Sequence, residues 1–257
     1  MRIMFYGLDG TGTDRLTGGG YVPDILISAA TLWNGKRFKR FYPPLHRSLF
    51  LDSGGFSFFY RKGDYPFAPE ELADLSKLLR ADITAVMDYP CEPDTTRPDG
   101  LRTNSERIHA TVRNTERCLD IKGVRWLPVL QGYRLSDYAL CAELLNERGL
   151  VDGHLAIGSL CVRKRLDEAW RVIRFARDRF PGVKLHGFGI DLRFLKDRRI
   201  RTALWSADTQ AWKWNNRSHG YGVRGILPKS REQILANFES YSPKVDALLE
   251  SDARGPF

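Results

Sequence analysis

The sequence predicts a parallel α/β barrel of the (β/α)8, or TIM-barrel, type. Short apolar runs alternate with amphipathic helical stretches, which is typical of a parallel sheet covered by helices. A doubly wound sheet shares this alternation, but two further observations favour the barrel. The chain has 257 residues, and about 250 residues is the usual size of such a barrel. Polar residues also end successive apolar runs, where barrel enzymes collect their chemistry.

The elements follow from the apolar periodicity along the chain. Seven apolar runs are predicted strands: DILISAA, SLFLDSGG, DITAVMDY, RWLPVLQG, HLAIGSL, KLHGFGI and TALWSADT. An eighth strand is predicted over 222–230, GVRGILPKS. The predicted helices are Pro69–Arg80, Ser105–Ile121, Leu135–Arg148, Leu166–Phe180, Leu192–Arg199 and a closing helix over Glu232–Glu250. The glycine-rich GLDGTGT near the start lacks the Lys-Ser/Thr of a phosphate loop, so we interpret it as an ordinary loop. No repeat or linker is visible, which predicts one domain over 1–257.

The charge balance favours a polyanionic partner. The chain carries 40 Lys and Arg against 31 Asp and Glu, a formal charge of +9. Such a surplus concerns association and not the fold. Two basic clusters with aromatic neighbours are candidate nucleic-acid contacts. The first contains Lys36, Arg37, Lys39 and Arg40, and the second contains Lys196, Arg198, Arg199 and Arg201.

The cysteines and histidines predict neither disulfides nor a metal site. The four cysteines are widely spaced without a C-x-x-C pair, and the five histidines lack ligand spacing relative to them. No apolar leader and no run long enough to cross a bilayer is visible. We therefore expect reduced thiols, a cytoplasmic protein that does not enter a membrane, and no bound metal.

Four polar side chains stand at the ends of predicted strands. Asp52 ends the second strand, Asp88 the third, Gln131 the fourth and Asp208 the seventh. Each alone is more often a cap of the following helix than a catalytic group. On one rim, however, one carboxylate can attack an electrophilic carbon and a second can move a proton. An acid beside an amide can bind the edge of a heterocycle, and Phe56 can stack on its ring.

Four motifs in this order resemble the tRNA-guanine transglycosylases, the base-exchange enzymes of queuosine and archaeosine synthesis. LDSGGF is similar to their strand-two motif, and the segment from VLQGY to AIGSL is similar to their Q-G-G, helix and A-I-G-G-L. HGFGI resembles their M-G-V-G stretch. WSADTQAW stands where they carry F-D-S/C with the nucleophilic aspartate. The resemblance covers the chain from about Leu49 to Trp212.

This resemblance implies a role for each matching residue. Asp208 would attack C1′ of a guanine nucleotide, and Asp52 would be the general acid/base for the departing and incoming bases. The other matching residues would bind the base, Phe56 by stacking and the rest along its heterocycle edge: Asp88, Gln131, the Gly158 backbone and Ser159. The family's chemistry needs no cofactor, and none is expected here.

The chain departs from the tRNA enzymes in ways that favour another substrate. Those enzymes follow the nucleophile strand with a C-x-C-x-x-C…H zinc subdomain, whereas here no cysteine follows Cys161. Ser159 replaces the second glycine of G-G-L, and Lys164 stands where bacterial enzymes carry a Glu. A compact chain without the zinc subdomain resembles the DpdA-type enzymes, which insert 7-deazaguanines into DNA. A base in a duplex would have to flip out to reach the rim.

The resulting prediction is exchange of guanine in DNA for a 7-deazaguanine base. The neutral nitrile preQ0 is favoured over the cationic preQ1, because Arg163, Lys164 and Arg165 occupy the stretch beside the base. Three alternatives stay open: a zinc-less tRNA enzyme, an exchange enzyme or hydrolase acting on free nucleosides, and a non-catalytic nucleic-acid-binding subunit. The presence of both Asp52 and Asp208 weighs against the last. A homodimer is a further expectation.

Overall fold

The centre of the molecule is one parallel sheet of nine strands. In the computed structural model, residues 1–8, 23–93, 101–213 and 231–253 are described. The strands are β1 (Ile3–Leu8), β2 (Asp24–Ser28), β3 (Leu49–Asp52), β4 (Ile83–Ala85), β5 (Trp126–Leu127), β6 (Val129–Leu130), β7 (His154–Ile157), β8 (Lys184–Gly187) and β9 (Ser206–Thr209). Their order in the sheet is β5-β4-β3-β2-β1-β9-β8-β7-β6.

This order closes the sheet into a barrel, because β5 and β6 are two halves of one stretch separated only by Pro128. Proline has no N–H for a ladder bond, so the strand is interrupted there. The Pro128 carbonyl still accepts from Ala156 N at 2.9 Å, which keeps this side paired to β7. The sheet therefore has eight positions, and the predicted parallel α/β barrel is confirmed.

One barrel strand was missed from the sequence. β1 lies between β2 and β9 and pairs with both in parallel. The run IMFYGL is only six residues long and leads directly into the glycine-rich stretch that was interpreted from the sequence as a loop. With β1 included, Asp52 ends the third strand. Gly7 and Leu8, which were predicted to lie in the loop GLDGTGT, belong to β1. The rest of that stretch and the predicted eighth strand at 222–230 lie outside the described residues.

The helices cover the sheet and largely follow the predicted positions. They are α1 (Ala29–Leu32), α2 (Gly55–Lys62), α3 (Pro69–Leu79), α4 (Asn104–Asp120), α5 (Leu135–Glu147), α6 (Leu166–Arg179), α7 (Leu192–Lys196), α8 (Arg198–Ala203) and α9 (Arg231–Ala253). The short α1 and α2 were not predicted. The predicted helix over Leu192–Arg199 is wrong in its extent, because Asp197 ends α7 and caps α8 by accepting from Arg199 N at 3.0 Å. In the described part of the chain, no helix is both long and apolar enough to cross a membrane.

The barrel interior is filled by aromatic rings below its carboxyl-terminal rim. Phe5 of β1, Phe50 of β3 and His186 of β8 contact one another, with ring centroids 4.8–6.0 Å apart. No two of these three strands are neighbours in the sheet. The contacts between their side chains therefore cross the barrel interior. Side chains of β8 and β9 that lie on the same face of the sheet as His186 also point into this interior.

Candidate active site

The predicted rim residues stand at the same end of the barrel. Asp52 is the last residue of β3, and Asp208 lies in β9 next to its final residue. Asp88 follows β4, and Gln131 comes directly after β6. Because all strands are parallel, their carboxyl ends meet at one rim. The structure brings together the four side chains that the sequence singled out.

Asp208 is buried and held by two hydrogen bonds on one oxygen. Its Oδ1 lies 3.0 Å from Gly189 N and 3.3 Å from His186 Nε2. The other ring nitrogen of His186, Nδ1, lies 2.9 Å from Ser206 Oγ. Asp208 is only 7% exposed. No role was predicted for His186 or Ser206, which the structure pairs in register across β8 and β9.

Asp52 is an acid whose proton is bound more tightly than usual. Its pKa is raised to about 6, chiefly by burial and also by the charge of Asp208, while hydrogen bonds from Ser28 and Gly54 oppose the shift. Ser28 is the register partner of Asp52 across β2 and β3. A carboxyl with this pKa exchanges protons near neutral pH, which general acid–base catalysis requires.

Asp88 lies in a hydrogen-bonded cluster with Gln131. Gln131 Nε2 donates to Asp88 Oδ2, and Ser53 Oγ donates to Asp88 Oδ1 at 3.3 Å. Gln131 Oε1 accepts from Ser159 Oγ at 3.2 Å. Burial raises the pKa of Asp88 to about 7, and the charge of Asp52 adds to the shift. The Asp88 carboxyl and the Gln131 amide are therefore held side by side, which is the arrangement required to bind the edge of a heterocycle.

Two glycines make room for this cluster. A Cβ on Gly55 would lie 2.4 Å from the Asp88 carbonyl oxygen and 2.6 Å from the Tyr65 hydroxyl. A Cβ on Gly158 would lie 2.4 Å from Cδ of Gln131. Gly55 lies against backbone, so its position is restricted to glycine by close approach, whereas a side chain at position 158 would displace the Gln131 amide.

Both backbone groups of Gly158, which was predicted to bind the base, are hydrogen-bonded within the fold. Its N–H donates to the Leu130 carbonyl at 3.0 Å, and its carbonyl accepts from the Tyr138 hydroxyl at 2.8 Å. The N–H is thus part of the sheet ladder and is not available to a ligand. The chain leaves the ladder at Ser159, whose φ of 56° is in the left-handed region.

Phe56 and Arg163 flank this region. Phe56 lies in the first turn of α2, is 43% exposed, and packs on Tyr60 with ring centroids 4.5 Å apart. Arg163 is buried, with Nε 3.3 Å from the Ser159 carbonyl and its guanidinium over the Tyr133 ring. Lys164 and Arg165, by contrast, are exposed.

The two basic clusters have different surroundings. Lys36, Arg37, Lys39 and Arg40 are all exposed in the segment after α1. In the second cluster, Lys196 and Arg198 are exposed, but Arg199 forms ion pairs with Asp167 and Asp197.

Arg201 is buried, and its Nη1 donates to the Leu195 carbonyl at 2.5 Å. Its own carbonyl accepts from the Met1 ammonium at 2.8 Å, and Met1 precedes β1. Arg201 therefore lies at the amino end of the strands, opposite the rim. The expectation that Arg201 contacts nucleic acid is wrong, since it packs inside the fold.

The fold and site together define a class of protein. A parallel barrel with buried, mutually coupled acids and an amide at its carboxyl-terminal rim is the arrangement of a barrel enzyme. Within the described ranges, no group of three or more His, Cys, Asp or Glu side chains is placed to hold a metal ion.

Residues 24–237 match the family DpdA, described as DeoxyPurine in DNA protein A, and the chain belongs to that family. The match covers well over half of the chain and extends from β2 into α9. Membership confirms the resemblance drawn from the motifs, and it supports a transglycosylase role in DNA modification with 7-deazaguanines. A search of curated proteins gave no match.

Proposed function

We propose that this protein replaces guanine in DNA with a 7-deazaguanine base through a covalent intermediate on Asp208. The observation that carries the proposal is the position of Asp52, whose pKa responds to Asp208 and whose charge in turn affects Asp88. One acid is thus close to both the candidate nucleophile and the candidate base-binding group. Membership of the DpdA family supports DNA as the substrate.

The first half of the reaction forms a glycosyl ester. The Asp208 carboxylate attacks C1′ of the target deoxyguanosine, and the bond from C1′ to N9 breaks. The departing base takes that electron pair and accepts a proton from Asp52. In the second half, the incoming base gives its N9 proton to Asp52, attacks C1′ and releases the Asp208 carboxylate. Two displacements at the same carbon retain its configuration.

The base would be bound between Phe56 and the Asp88–Gln131 cluster. Guanine and 7-deazaguanines share donors on the edge that carries N1 and N2, and an ionised Asp88 accepts from both. Gln131 holds Asp88, Ser159 in turn holds Gln131, and both add polar groups along the same edge. The exposed ring of Phe56 supplies the stacking surface. A base buried in a duplex has to flip out to reach this position.

Replacing the nucleophile tests the mechanism. Asp208→Asn keeps the shape but provides a poor nucleophile, so we expect loss of base exchange with the fold intact. Wild-type protein quenched during turnover should carry the DNA covalently at Asp208, as peptide mass spectrometry would show. Asp74→Asn, an equivalent change of an exposed acid on α3, is the control. Normal turnover by Asp208→Asn would exclude this mechanism.

The incoming base is preQ0 in preference to preQ1. Buried Arg163 lies next to the Ser159 turn, and a cationic aminomethyl group there would be repelled. Glu92 is buried beside the same turn, and burial raises its pKa, which weakens its attraction for a cation. A nitrile carries no charge and can accept a hydrogen bond.

Competition between the two bases measures this preference. Equal concentrations of preQ0 and preQ1 are offered with DNA, and the modified nucleosides are counted by mass spectrometry. We expect an excess of preQ0 product, because like charges about 4 Å apart repel by about 4 kcal/mol at an effective dielectric near 20. Lys164→Gln, which changes an exposed cation, should leave the ratio unchanged. A preference for preQ1 would reject the assignment.

A further inference from the structure

The two oxygens of the Asp208 carboxylate have different surroundings. Both hydrogen bonds that the described residues make to this carboxylate end on Oδ1, one from Gly189 N at 3.0 Å and one involving His186 Nε2 at 3.3 Å. Two contacts on one oxygen fix the rotation of the carboxylate about its side-chain bond. Oδ2 is then the oxygen directed away from these contacts.

Ser206 is placed to select the tautomer of His186. Ser206 Oγ lies 2.9 Å from His186 Nδ1, and the two residues are register partners on neighbouring strands. When the serine hydroxyl donates to Nδ1, the ring proton of the neutral imidazole is on Nε2 and is donated to Asp208. Ser206 and Asp208 are two residues apart on β9, so both face the same imidazole.

The ring of His186 is held on its remaining sides by aromatic side chains. The centroids of Phe50 and Phe188 lie 4.8 Å and 4.9 Å from it, and that of Phe5 lies 6.0 Å away. His186 is 2% exposed. Its rotamer and its hydrogen bonds are therefore fixed before any substrate arrives.

We propose that His186, oriented by Ser206, is a positioning residue for Asp208 that directs Oδ2 toward C1′. The inference rests on the proposed role of Asp208 as nucleophile. In the glycosyl ester, the bond to C1′ is on Oδ2, and Oδ1 is the ester carbonyl that still accepts from His186 and Gly189. When the incoming base attacks C1′, the electron pair returns to the carboxylate. The orientation of Oδ2 assists its attack on C1′ in the first step, and the two N–H donors stabilise the charge that returns to the carboxylate in the second, so both chemical steps depend on His186.

Three variants test the proposal. His186→Met has a similar volume but no donor, while the amide of His186→Gln can reach the position of Nε2 and donate. Ser206→Ala removes the group that selects the tautomer. The rates of adduct formation and adduct breakdown are measured in single turnovers on DNA, together with KM for DNA and the thermal unfolding midpoint.

We expect His186→Met to slow both chemical steps about 10- to 100-fold, as loss of a hydrogen bond to a charged group does. His186→Gln should recover most of the rate, and KM for DNA should stay unchanged in both variants. Ser206→Ala should slow the steps by less, and should add no further loss in the His186→Met background. A role in packing alone would not predict rescue by Gln or this non-additivity.

The proposal is overturned if His186→Met turns over at the wild-type rate, if Gln is no better than Met, or if the Ser206→Ala loss is additive. If the Met variant does not fold, the Gln variant and Ser206→Ala still test the proposal. Wild-type rates of both chemical steps in Ser206→Ala would contradict control of the His186 tautomer by Ser206. Failure of the underlying mechanism is separate: it would appear as exchange by Asp208→Asn or as an adduct on another residue.

Discussion

At the scale of single residues, Asp88 shows how burial prepares an acid for binding. It is 9% exposed, close to Asp52, and accepts hydrogen bonds from Gln131 and Ser53. Removal from water favours the protonated acid, whereas the two donors favour the carboxylate. The balance raises its pKa from 3.8 to about 7. A substrate that brings its own donors would shift this balance toward the carboxylate.

This pKa predicts how Asp88 affects stability with pH. The folded protein binds the Asp88 proton more tightly than the unfolded chain does, so the stabilisation is complete below about pH 4 and is lost as pH rises through 7. Asp88→Asn has no such proton to lose. Between pH 5 and pH 8, its free energy of unfolding should therefore rise relative to wild type by about 3 kcal/mol, since about two pKa units separate pH 5 from the folded pKa and each corresponds to about 1.4 kcal/mol.

Chemical denaturation at the two pH values measures this difference. The hydrogen bond lost in Asp88→Asn weakens the fold equally at both pH values, so the comparison isolates the proton. Asp74→Asn, a change at an exposed position of α3, is the control and should show no comparable change between pH 5 and pH 8. An equal offset from wild type at pH 5 and pH 8 would show that Asp88 titrates normally.

At the scale of elements, side-chain caps decide where helices begin and end. The sequence suggested that Ser105 starts a helix, but the N-cap of α4 is Thr103, whose hydroxyl accepts from Glu106 N at 3.2 Å. Glu106 in turn accepts from Thr103 N at 2.8 Å, which completes a capping box. The motif T-x-x-E was present in the sequence, two residues before the predicted start. Such reciprocal bonds fix the boundary more closely than apolar periodicity does.

The turn from β3 into α2 explains the Asp-Ser-Gly-Gly sequence. Gly54 has a φ of 82°, in the left-handed region, and Gly55 lies against the Asp88 backbone. Between them, the two glycines bring Ser53 and the start of α2 close to Asp88. The same turn places Phe56 at the rim. A stretch with the composition of an ordinary loop therefore shapes the candidate base pocket.

At the scale of the whole molecule, the basic residues are distributed unevenly about the barrel. Lys36 and Arg37 are exposed in the segment that follows α1. The helix α1 itself begins just after Ser28, at the carboxyl end of β2. Ser28 hydrogen-bonds to Asp52, so this segment starts from the rim. Arg198 belongs to α8, which leads toward the amino end of β9. We propose that DNA contacts the first cluster.

Salt dependence of DNA binding distinguishes the clusters. Each phosphate contact contributes a slope of about −0.9 to log K against log salt. Replacing Lys36 and Arg37 with Gln should make that slope shallower by about 1 to 2, while Arg198→Gln, also an exposed cation, should leave it unchanged. Binding titrations on one DNA at several salt concentrations provide the slopes. A larger effect from Arg198→Gln would place the DNA at the other end of the barrel.

The sequence by itself determined the barrel, most of its strands and helices, and the four rim residues Asp52, Asp88, Gln131 and Asp208. These features are local, because apolar periodicity and a polar residue at the end of a strand can be read along the chain. The tertiary structure decided what is long-range. Strand register placed His186 against Asp208, barrel closure gave β1 its position, and packing buried Arg201. Residues far apart in sequence meet only when the sheet closes, so no local pattern encodes those contacts.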